Sequence, residues 1–336
     1  MTSRVRIAVD AMGGDFGPSV TVPACITAIS KHPSLEICLF GRKKDVLTYI
    51  HNNSLPDRLS ICHCDEVITM SDKPSSVLRN KKASSMRLAI DAHVSGNFDA
   101  VVSGGNTGAL MALGRMIMRT LPAIDRPAIC SSVPTEKGFS YVLDMGANVD
   151  CRAEHLAQFG LMGSVLASVI ENKKNPSVRL LNIGEEALKG TESVKLAATM
   201  LAQQNLNYQG YIEASEIFLG DTDVIVCDGF VGNVALKASE GVARFIAQLG
   251  REEFSGSLWA KLIAIASKPI IDRVLQRIDP ENYNGAFFLG LQGVLVKSHG
   301  NASQHGFTNA IDKTVIAVRQ NMIDLLEVQL ELTVQN

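Results

Sequence analysis

The sequence has no marked excess of either charge. Its 336 residues carry 32 Lys and Arg against 34 Asp and Glu, a net charge of −2, which argues against a general nucleic-acid binder. It has no cysteine framework. Seven cysteines, an odd number without regular spacing, fit a reduced, cytoplasmic protein better than a disulfide-stapled one. Cys62-His63-Cys64 has no second Cys/His pair at ligand spacing, so the short strand from Leu59 to Cys62 is expected to hold no metal. No uninterrupted run of 18 apolar residues is present, so no segment is expected to span a membrane. The polar N-terminal residues lead into a strand and do not read as a leader. The dinucleotide fingerprint G-x-G-x-x-G and the Gly-Lys-Ser/Thr of a nucleotide phosphate loop are both missing.

What the sequence does contain is a repeated pattern of apolar run, glycine-rich loop and helix. Hydrophobic residues make up 46% of the chain, enough for a sizeable core, and the length suits one large α/β domain or about two ordinary ones. Val5 to Val9 reads as a buried strand leading into Asp10-Ala-Met-Gly-Gly-Asp-Phe-Gly-Pro-Ser19. Gly13 and Gly14 permit a tight turn and a close ligand approach, Pro18 suits a first helical turn, and Asp10 and Asp15 make the loop polar. Asp99 to Ser103 is another strand. Gly104-Gly-Asn-Thr107 is its turn, and Leu110, Leu113, Gly114 and Ile117 share one face of the helix that follows. A strand, a glycine-rich turn and a helix N-terminus form an anion site, because open N–H groups and the helix dipole point there. Ser103, Gly104, Gly105, Asn106 and Thr107 are therefore the candidate phosphate-binding residues.

Three later strand ends repeat the design. Phe139 to Leu143 runs into Asp144-Met-Gly-Ala-Asn-Val-Asp150, Val178 to Leu181 into Asn182-Ile-Gly-Glu-Glu186, and Asp223 to Cys227 into Asp228-Gly-Phe-Val-Gly-Asn233. In a parallel sheet all five ends share one edge and would converge on a polar cleft. Asp144, Gly146, Glu185, Asp228 and Gly229 thus join Asp10, Gly13, Gly14 and Asp15 as candidate cleft-lining residues. Lys237 is expected in or just beyond the first turn of the last helix. It opposes the helix dipole there, a cost more easily understood if it meets an anionic ligand; the alternative is an exposed lysine.

Other segments stand apart. Residues 65 to 86 are polar and basic, an irregular surface segment ahead of a helix from about Ser84 to Val94, and read either as a solvated face or as an anion-facing lid. Between Ser257 and Ile278, Trp259, Leu262, Ile263 and Ala266 recur at helical spacing, and the pattern resumes after Pro269. Two short amphipathic helices broken at that proline are expected. They form a core or dimer-interface pair, or a membrane-surface patch with Trp259 at the interface and Lys261, Lys268, Arg273 and Arg277 near anionic lipid. Tyr283-Asn-Gly285 precedes an apolar stretch, Ala286 to Leu291, and another apolar run ends in Val296-Lys-Ser-His299-Gly. His299 is a candidate general acid/base or phosphate donor. Arg42 to His51 reads as a polar helix and Phe307 to Leu332 as one terminal helix before a polar tail.

Six of these motifs, in order and over nearly the whole chain, carry a family resemblance. Asp10-Ala-Met-Gly-Gly-Asp-Phe-Gly-Pro-Ser, Ser103-Gly-Gly-Asn-Thr-Gly-Ala-Leu, Leu143-Asp-Met-Gly-Ala-Asn-Val-Asp, Leu181-Asn-Ile-Gly-Glu-Glu, Val226-Cys-Asp-Gly-Phe-Val-Gly-Asn and Val296-Lys-Ser-His-Gly resemble the bacterial acyl-ACP:phosphate acyltransferase (PlsX) family. The resemblance implies attack of inorganic phosphate on a fatty acyl thioester of acyl carrier protein, giving acyl phosphate for glycerol-3-phosphate acylation and phospholipid synthesis. It implies a three-layer α/β/α sandwich, a Rossmann-like, mostly parallel sheet similar to that of phosphotransacetylases and isocitrate dehydrogenases. It also implies a homodimer and no cofactor. One α/β domain over residues 1–336 is expected, with an amphipathic helical protrusion at about 250–280. The location implied is cytoplasmic, at the inner face of the cell membrane, beside the glycerol-3-phosphate acyltransferase that acts next. Such chemistry needs positioning and preorganised donors more than a protein nucleophile. Lys237 or His299 would supply charge, and Asn148, Asn182 and Asn233 are candidate polarising donors. A short-chain phosphotransacetylase using acyl-CoA, and a non-catalytic membrane scaffold, are the alternatives.

Overall fold

Alternating apolar residues pair into a sheet whose two faces bury different helices. The structure, a computed structural model, describes residues 4–50, 54–186 and 188–334. Its strands are β1 Val5–Asp10, β2 Leu35–Gly41, β3 Leu59–His63, β4 Ala100–Ser103, β5 Ala128–Thr135, β6 Gly138–Leu143, β7 Ser177–Asn182, β8 Asn207–Glu213, β9 Val224–Val226, β10 Ala286–Leu289 and β11 Val294–Lys297. Its helices are α1 Pro18–Lys31, α2 Lys43–Leu47, α3 Pro74–Asn80, α4 Ser85–Val94, α5 Thr107–Ile117, α6 Ala153–Glu171, α7 Glu192–Gln203, α8 Gly229–Ser255, α9 Leu258–Ile278, α10 Gln304–Arg319 and α11 Met322–Val334. The strands form one continuous sheet in the order β3-β2-β1-β4-β11-β10-β5-β6-β9-β7-β8. Val5, Ile7 and Val9 of β1 face a core shared with α1, α6, α10 and α11. Ala8 faces the other, with α4 and α5, as strand alternation requires. The result is the expected three-layer α/β/α sandwich.

Strand direction departs from expectation. β1, β2, β3, β4 and β11 run parallel to one another. Between β11 and β6, however, lie three antiparallel pairs: β11 with β10, β10 with β5, and β5 with β6. An odd number of reversals turns β6, β9, β7 and β8, which are parallel among themselves, against the first group. The loops after β6, β7 and β9 therefore leave the sheet at the edge opposite the loops after β1, β4 and β11.

Helix α6 is long and apolar enough to cross a bilayer, yet 78% of that stretch is buried in the protein. Gly160 and Gly163 explain its seat. A Cβ at Gly163 would lie 2.5 Å from Val224 and 2.7 Å from Leu143, and one at Gly160 would lie 2.7 Å from Leu201. Phe159 beside them is fully buried.

Helices α8 and α9 form a hairpin whose apolar side chains are exposed: Val242, Phe245 and Ile246 on the first, Trp259 (77% exposed), Leu262 and Ile263 on the second, with Ala266 exposed beside them. They do not belong to the core of the chain. The expected break at Pro269 is absent, and α9 runs through it. Proline removes one N–H bond, but Ile265, whose carbonyl loses that partner, is itself exposed and open to water. The single terminal helix is two, divided at Asn321, which takes a left-handed conformation (φ 51°). The polar helix from Arg42 is shorter than expected, Lys43–Leu47. His51 and the tail residues Gln335 and Asn336 lie outside the described residues.

The α6 seat predicts a stability effect. Phe159→Ala should destabilise the protein by about 3–5 kcal/mol, measured by urea denaturation; a loss under about 1 kcal/mol would mean that the site collapses around the missing ring.

Candidate active site

Three neighbouring parallel strands end in one row. Asp10 of β1 pairs with Ser103 of β4, and Ser103 with Lys297 of β11. Residues in register on parallel neighbours project from the same face, so a carboxylate, a hydroxyl and an ammonium are brought together. Asp10 Oδ2 accepts from Ser103 Oγ at 2.7 Å. Its Oδ1 accepts from Ser85 Oγ, in the first turn of α4, at 2.7 Å and from the Met12 N–H at 3.3 Å. Ser103 Oγ in turn accepts the Gly105 N–H at 3.0 Å. Lys297, only 8% exposed, donates from Nζ to the Gly104 carbonyl at 3.1 Å and to the Ser298 carbonyl. Burial pulls its pKa down to about 8, opposed by the charges of Asp10 and Asp15. Burial pushes the Asp10 carboxyl up, opposed by the Ser85 and Ser103 hydroxyls, the Met12 N–H and Lys297.

Backbone, more than side chain, forms the wall around this row. A Cβ at Gly13 would lie 2.6 Å from the Gly105 nitrogen, so the absence of a side chain lets the loop after β1 rest on the turn after β4. The Asp15 N–H donates to the Gly300 carbonyl at 2.7 Å, joining the loop after β11. His299 is exposed and borders a small crevice with Gly13, Phe16, Gly104 and Gly300. Helix α5 starts at this wall. Asn106 caps it, with Oδ1 accepting the Ala109 N–H at 3.0 Å, and the first-turn N–H groups of Thr107 and Gly108 have no acceptor within the helix. Such a main-chain turn at a helix start suits an anion.

The side chains expected to bind phosphate there hold the seat instead. Ser103 is fully buried and engaged with Asp10 and Gly105. Asn106 Nδ2 donates to the carbonyls of Thr69 (3.3 Å), Met70 (3.0 Å) and Asp72 (3.0 Å), tying down the segment that precedes α3. Gly104, Gly105 and the exposed Thr107 form the rim.

The other expected site residues stand at the opposite edge, so the single cleft of five strand ends does not exist within one chain. Asp144 organises its own loop. It accepts from the N–H groups of Ile129 (3.0 Å), Gly146 (3.2 Å), Ala147 (3.0 Å) and Asn148 (2.7 Å) and from Asn148 Nδ2 (2.9 Å). These bonds counter the upward push of burial on its carboxyl. Asn148 Nδ2 also donates to the Pro127 carbonyl at 2.8 Å, and Asn182 Nδ2 to those of Gly184 (3.0 Å) and Lys189 (3.2 Å). The amide donors of both are committed to loop carbonyls, which removes them as polarising donors in this conformation. Asp228 caps α8 through Val231 N–H at 2.8 Å, and Gly229 N–H donates to Asn148 O at 2.8 Å. Asn233 is exposed and packs beside Gly146, and Glu185 is exposed. Lys237 falls in the third turn of α8, beyond the reach of the helix dipole, and pairs with Glu240 at 3.0 Å.

Lys297 of the row and Ser85, which bonds to the row from α4, were not marked as site residues by sequence reasoning. Lys297 carried a signal, a lysine closing an apolar strand, Val294 to Val296, where its neighbours are buried. Ser85 carried none, because its role depends on a contact 75 residues away.

A sequence profile of the family described as "Fatty acid synthesis protein" matches residues 5–325. The chain is 49% identical over 334 residues to the phosphate acyltransferase of Halorhodospira halophila, across 98% of this chain and 97% of the relative. It is 50% identical over 316 residues to that of Methylococcus capsulatus, across 94% and 92%. Among solved structures, EutD phosphotransacetylase from Staphylococcus aureus is similar with a TM-score of 0.59 at 14% identity, covering 95% of this chain and 96% of that one. A phosphotransacetylase from Streptococcus pyogenes gives 0.60 at 16%, covering 96% and 94%. At these identities the likeness is one of fold.

The buried lysine sets a pH dependence. Its ammonium is lost as pH rises through about 8, so kcat/KM for the anionic substrate should fall through that range. Lys297→Met should lower kcat/KM by about 100-fold and abolish that alkaline limb. Stability moves the other way: the folded pKa lies below the ordinary 10.5, so the penalty for burying the charge is full below about 8 and is relieved between 8 and 10.5. Denaturation of parent and Lys297→Met across that window should show the parent gaining with pH; a constant difference would contradict the assigned charge.

Proposed function

Because this chain belongs to the phosphate acyltransferase family and is an acyltransferase, we propose that its donor is a fatty acyl thioester of acyl carrier protein. Inorganic phosphate is the acceptor. The observation that carries this is the row Asp10–Ser103–Lys297 under the N-terminus of α5. There a buried ammonium and main-chain donors suit a small, doubly charged anion. A phosphate oxygen attacks the thioester carbonyl and forms the new C–O bond. The tetrahedral oxyanion collapses, the C–S bond breaks, and the carrier leaves with its sulfur electrons. The proton of hydrogen phosphate ends on the released thiol. The protein binds and orients phosphate, and no side-chain nucleophile is needed. Asp10 orients Ser103, and the charge of Lys297 offsets the repulsion that its carboxylate would exert on phosphate. The acyl phosphate feeds phosphatidic acid synthesis.

The exposed apolar hairpin α8–α9 supports the rest of the proposal. Trp259, Leu262, Ile263 and Ala266 on one helix, with Lys261, Lys268 and Arg273 nearby in sequence, suit an anionic lipid surface. The protein is then cytoplasmic and peripheral to the inner face of the membrane, where a glycerol-3-phosphate acyltransferase would take the acyl phosphate. A homodimer is part of the same proposal, since the polar loops at the two sheet edges face apart within one chain.

Two measurements test it. Purified protein given palmitoyl-acyl carrier protein and phosphate should release free carrier and acyl phosphate, trapped with hydroxylamine. Turnover of acetyl-CoA without turnover of the carrier-bound donor would instead favour a short-chain phosphotransacetylase. In flotation with anionic vesicles the parent should rise with lipid and Leu262→Glu/Ile263→Glu should not; equal flotation removes the membrane role.

A further inference from the structure

The segment Tyr283-Asn-Gly285 lies outside the reaction described so far, yet it reaches the site. Asn284 is buried, 9% exposed. Its Nδ2 donates to Ser298 Oγ at 2.8 Å, and its Oδ1 accepts the His299 N–H at 2.9 Å and its own Gly285 N–H at 2.9 Å. One side chain thus grips two consecutive residues between Lys297 and Gly300. From the other side the same loop is held by the site itself. Ser298 N–H donates to the Ser103 carbonyl at 2.9 Å and Asp15 N–H to the Gly300 carbonyl, while Lys297 Nζ bridges the Ser298 and Gly104 carbonyls.

The grip is anchored. The Tyr283 carbonyl accepts from Ser132 Oγ at 2.9 Å and Lys313 Nζ at 2.8 Å, and Asn309 Nδ2 donates to the Glu281 carbonyl at 3.0 Å. Gly285 has a φ of +105°, and a Cβ there would meet Ala310 Cα at 3.0 Å, so the turn that aims Asn284 is fixed against α10. Asn284 touches no open surface of the seat; it acts through its neighbours.

Resting on the phosphate seat proposed above, we propose that Asn284 is a positioning residue of the transfer reaction: it sets the Ser298–His299 peptide, and with it the Lys297 carbonyl bridge, against the turn at Gly104. Misplacing this wall affects phosphate, which binds there, before it affects the acyl donor.

Steady-state kinetics per folded molecule test this. Asn284→Ala should raise the phosphate KM or lower kcat by about 10-fold or more, with the KM for the acyl donor within about twofold of the parent. Asn284→Asp keeps the acceptor for His299 N–H and should recover most of the loss. Asn309→Ala, which loosens the same segment without touching the loop, should lower stability and leave the phosphate KM in place. Equal behaviour of Asn284→Ala and Asn309→Ala, or parent-like kinetics in Asn284→Ala, overturns the positioning role. If Asn284→Ala does not fold, Asn284→Asp and Ser298→Ala decide it: parent-like phosphate parameters in Ser298→Ala with impaired ones in Asn284→Asp overturn the role, and the reverse order supports it. A Lys297→Met variant with unaltered phosphate KM removes the seat and the positioning role together, which separates that failure from failure of Asn284 alone.

Discussion

The site depends on one buried cation. Lys297 closes a strand whose neighbours end in Asp10 and Ser103, and the register of three parallel strands buries its side chain almost completely. A buried ammonium is costly unless it finds partners. Here it finds the carbonyls of Gly104 and Ser298 and the charge of Asp10. Satisfying the lysine therefore sews together the loops after β4 and β11. Satisfying Asp10 with Ser85 and Ser103 adds the loop after β1 and the start of α4. The glycines at 13 and 104 follow from this: the main chains approach closely there, where a Cβ would lie 2.6 Å from the Gly105 nitrogen or 3.2 Å from the Gly13 carbonyl oxygen. The N–H groups that open at the start of α5 have no partner within the helix.

Sheet topology decides what else can join that site. Three antiparallel pairs in the middle of the sheet send Asn148, Asn182 at the end of β7 and Asn233 at the start of α8 to the far edge. There Asp144 saturates its carboxylate with its own loop's N–H groups, a rigid arrangement built before any ligand arrives. The hairpin α8–α9 starts at that far edge and returns through Arg277, whose guanidinium donates to the Glu136 carbonyl in the β5–β6 turn, and Tyr283 to the segment that holds the loop after β11. The exposed apolar hairpin and the buried polar row are thus joined by a short stretch of chain.

Much of the fold was legible because it is local. Val5 to Val9, Asp99 to Ser103 and the helix with Leu110 and Leu113 each declare themselves by periodicity and by the glycines that follow. Strand direction was not, because it is set by long-range pairing. The one sequence cue was the short turn at Thr135-Glu-Lys-Gly138, where Gly138 has φ +135° and β5 folds back on β6 as a hairpin. Read as strand ends of one parallel sheet, the motifs share one edge. The site was legible in its backbone and less so in its side chains. Gly104 to Thr107 is a strand-to-helix turn by sequence and by geometry, but Ser103 and Asn106 spend their polar atoms inside the protein. Lys237, which looked like a cation facing a ligand, starts too far along its helix and meets Glu240. Ser85 reveals itself only when residues distant in sequence are brought together, whereas Lys297 is marked by the apolar strand that it closes.

The location of the bound anion tests the account most directly. Crystals grown with arsenate, an isostere of phosphate that scatters anomalously, should show one arsenic peak at the start of α5, within hydrogen-bond reach of the Thr107 and Gly108 N–H groups and on the Lys297 side of the sheet. A peak at the start of α8, beside Asn233 and Lys237, with none at α5, would contradict it.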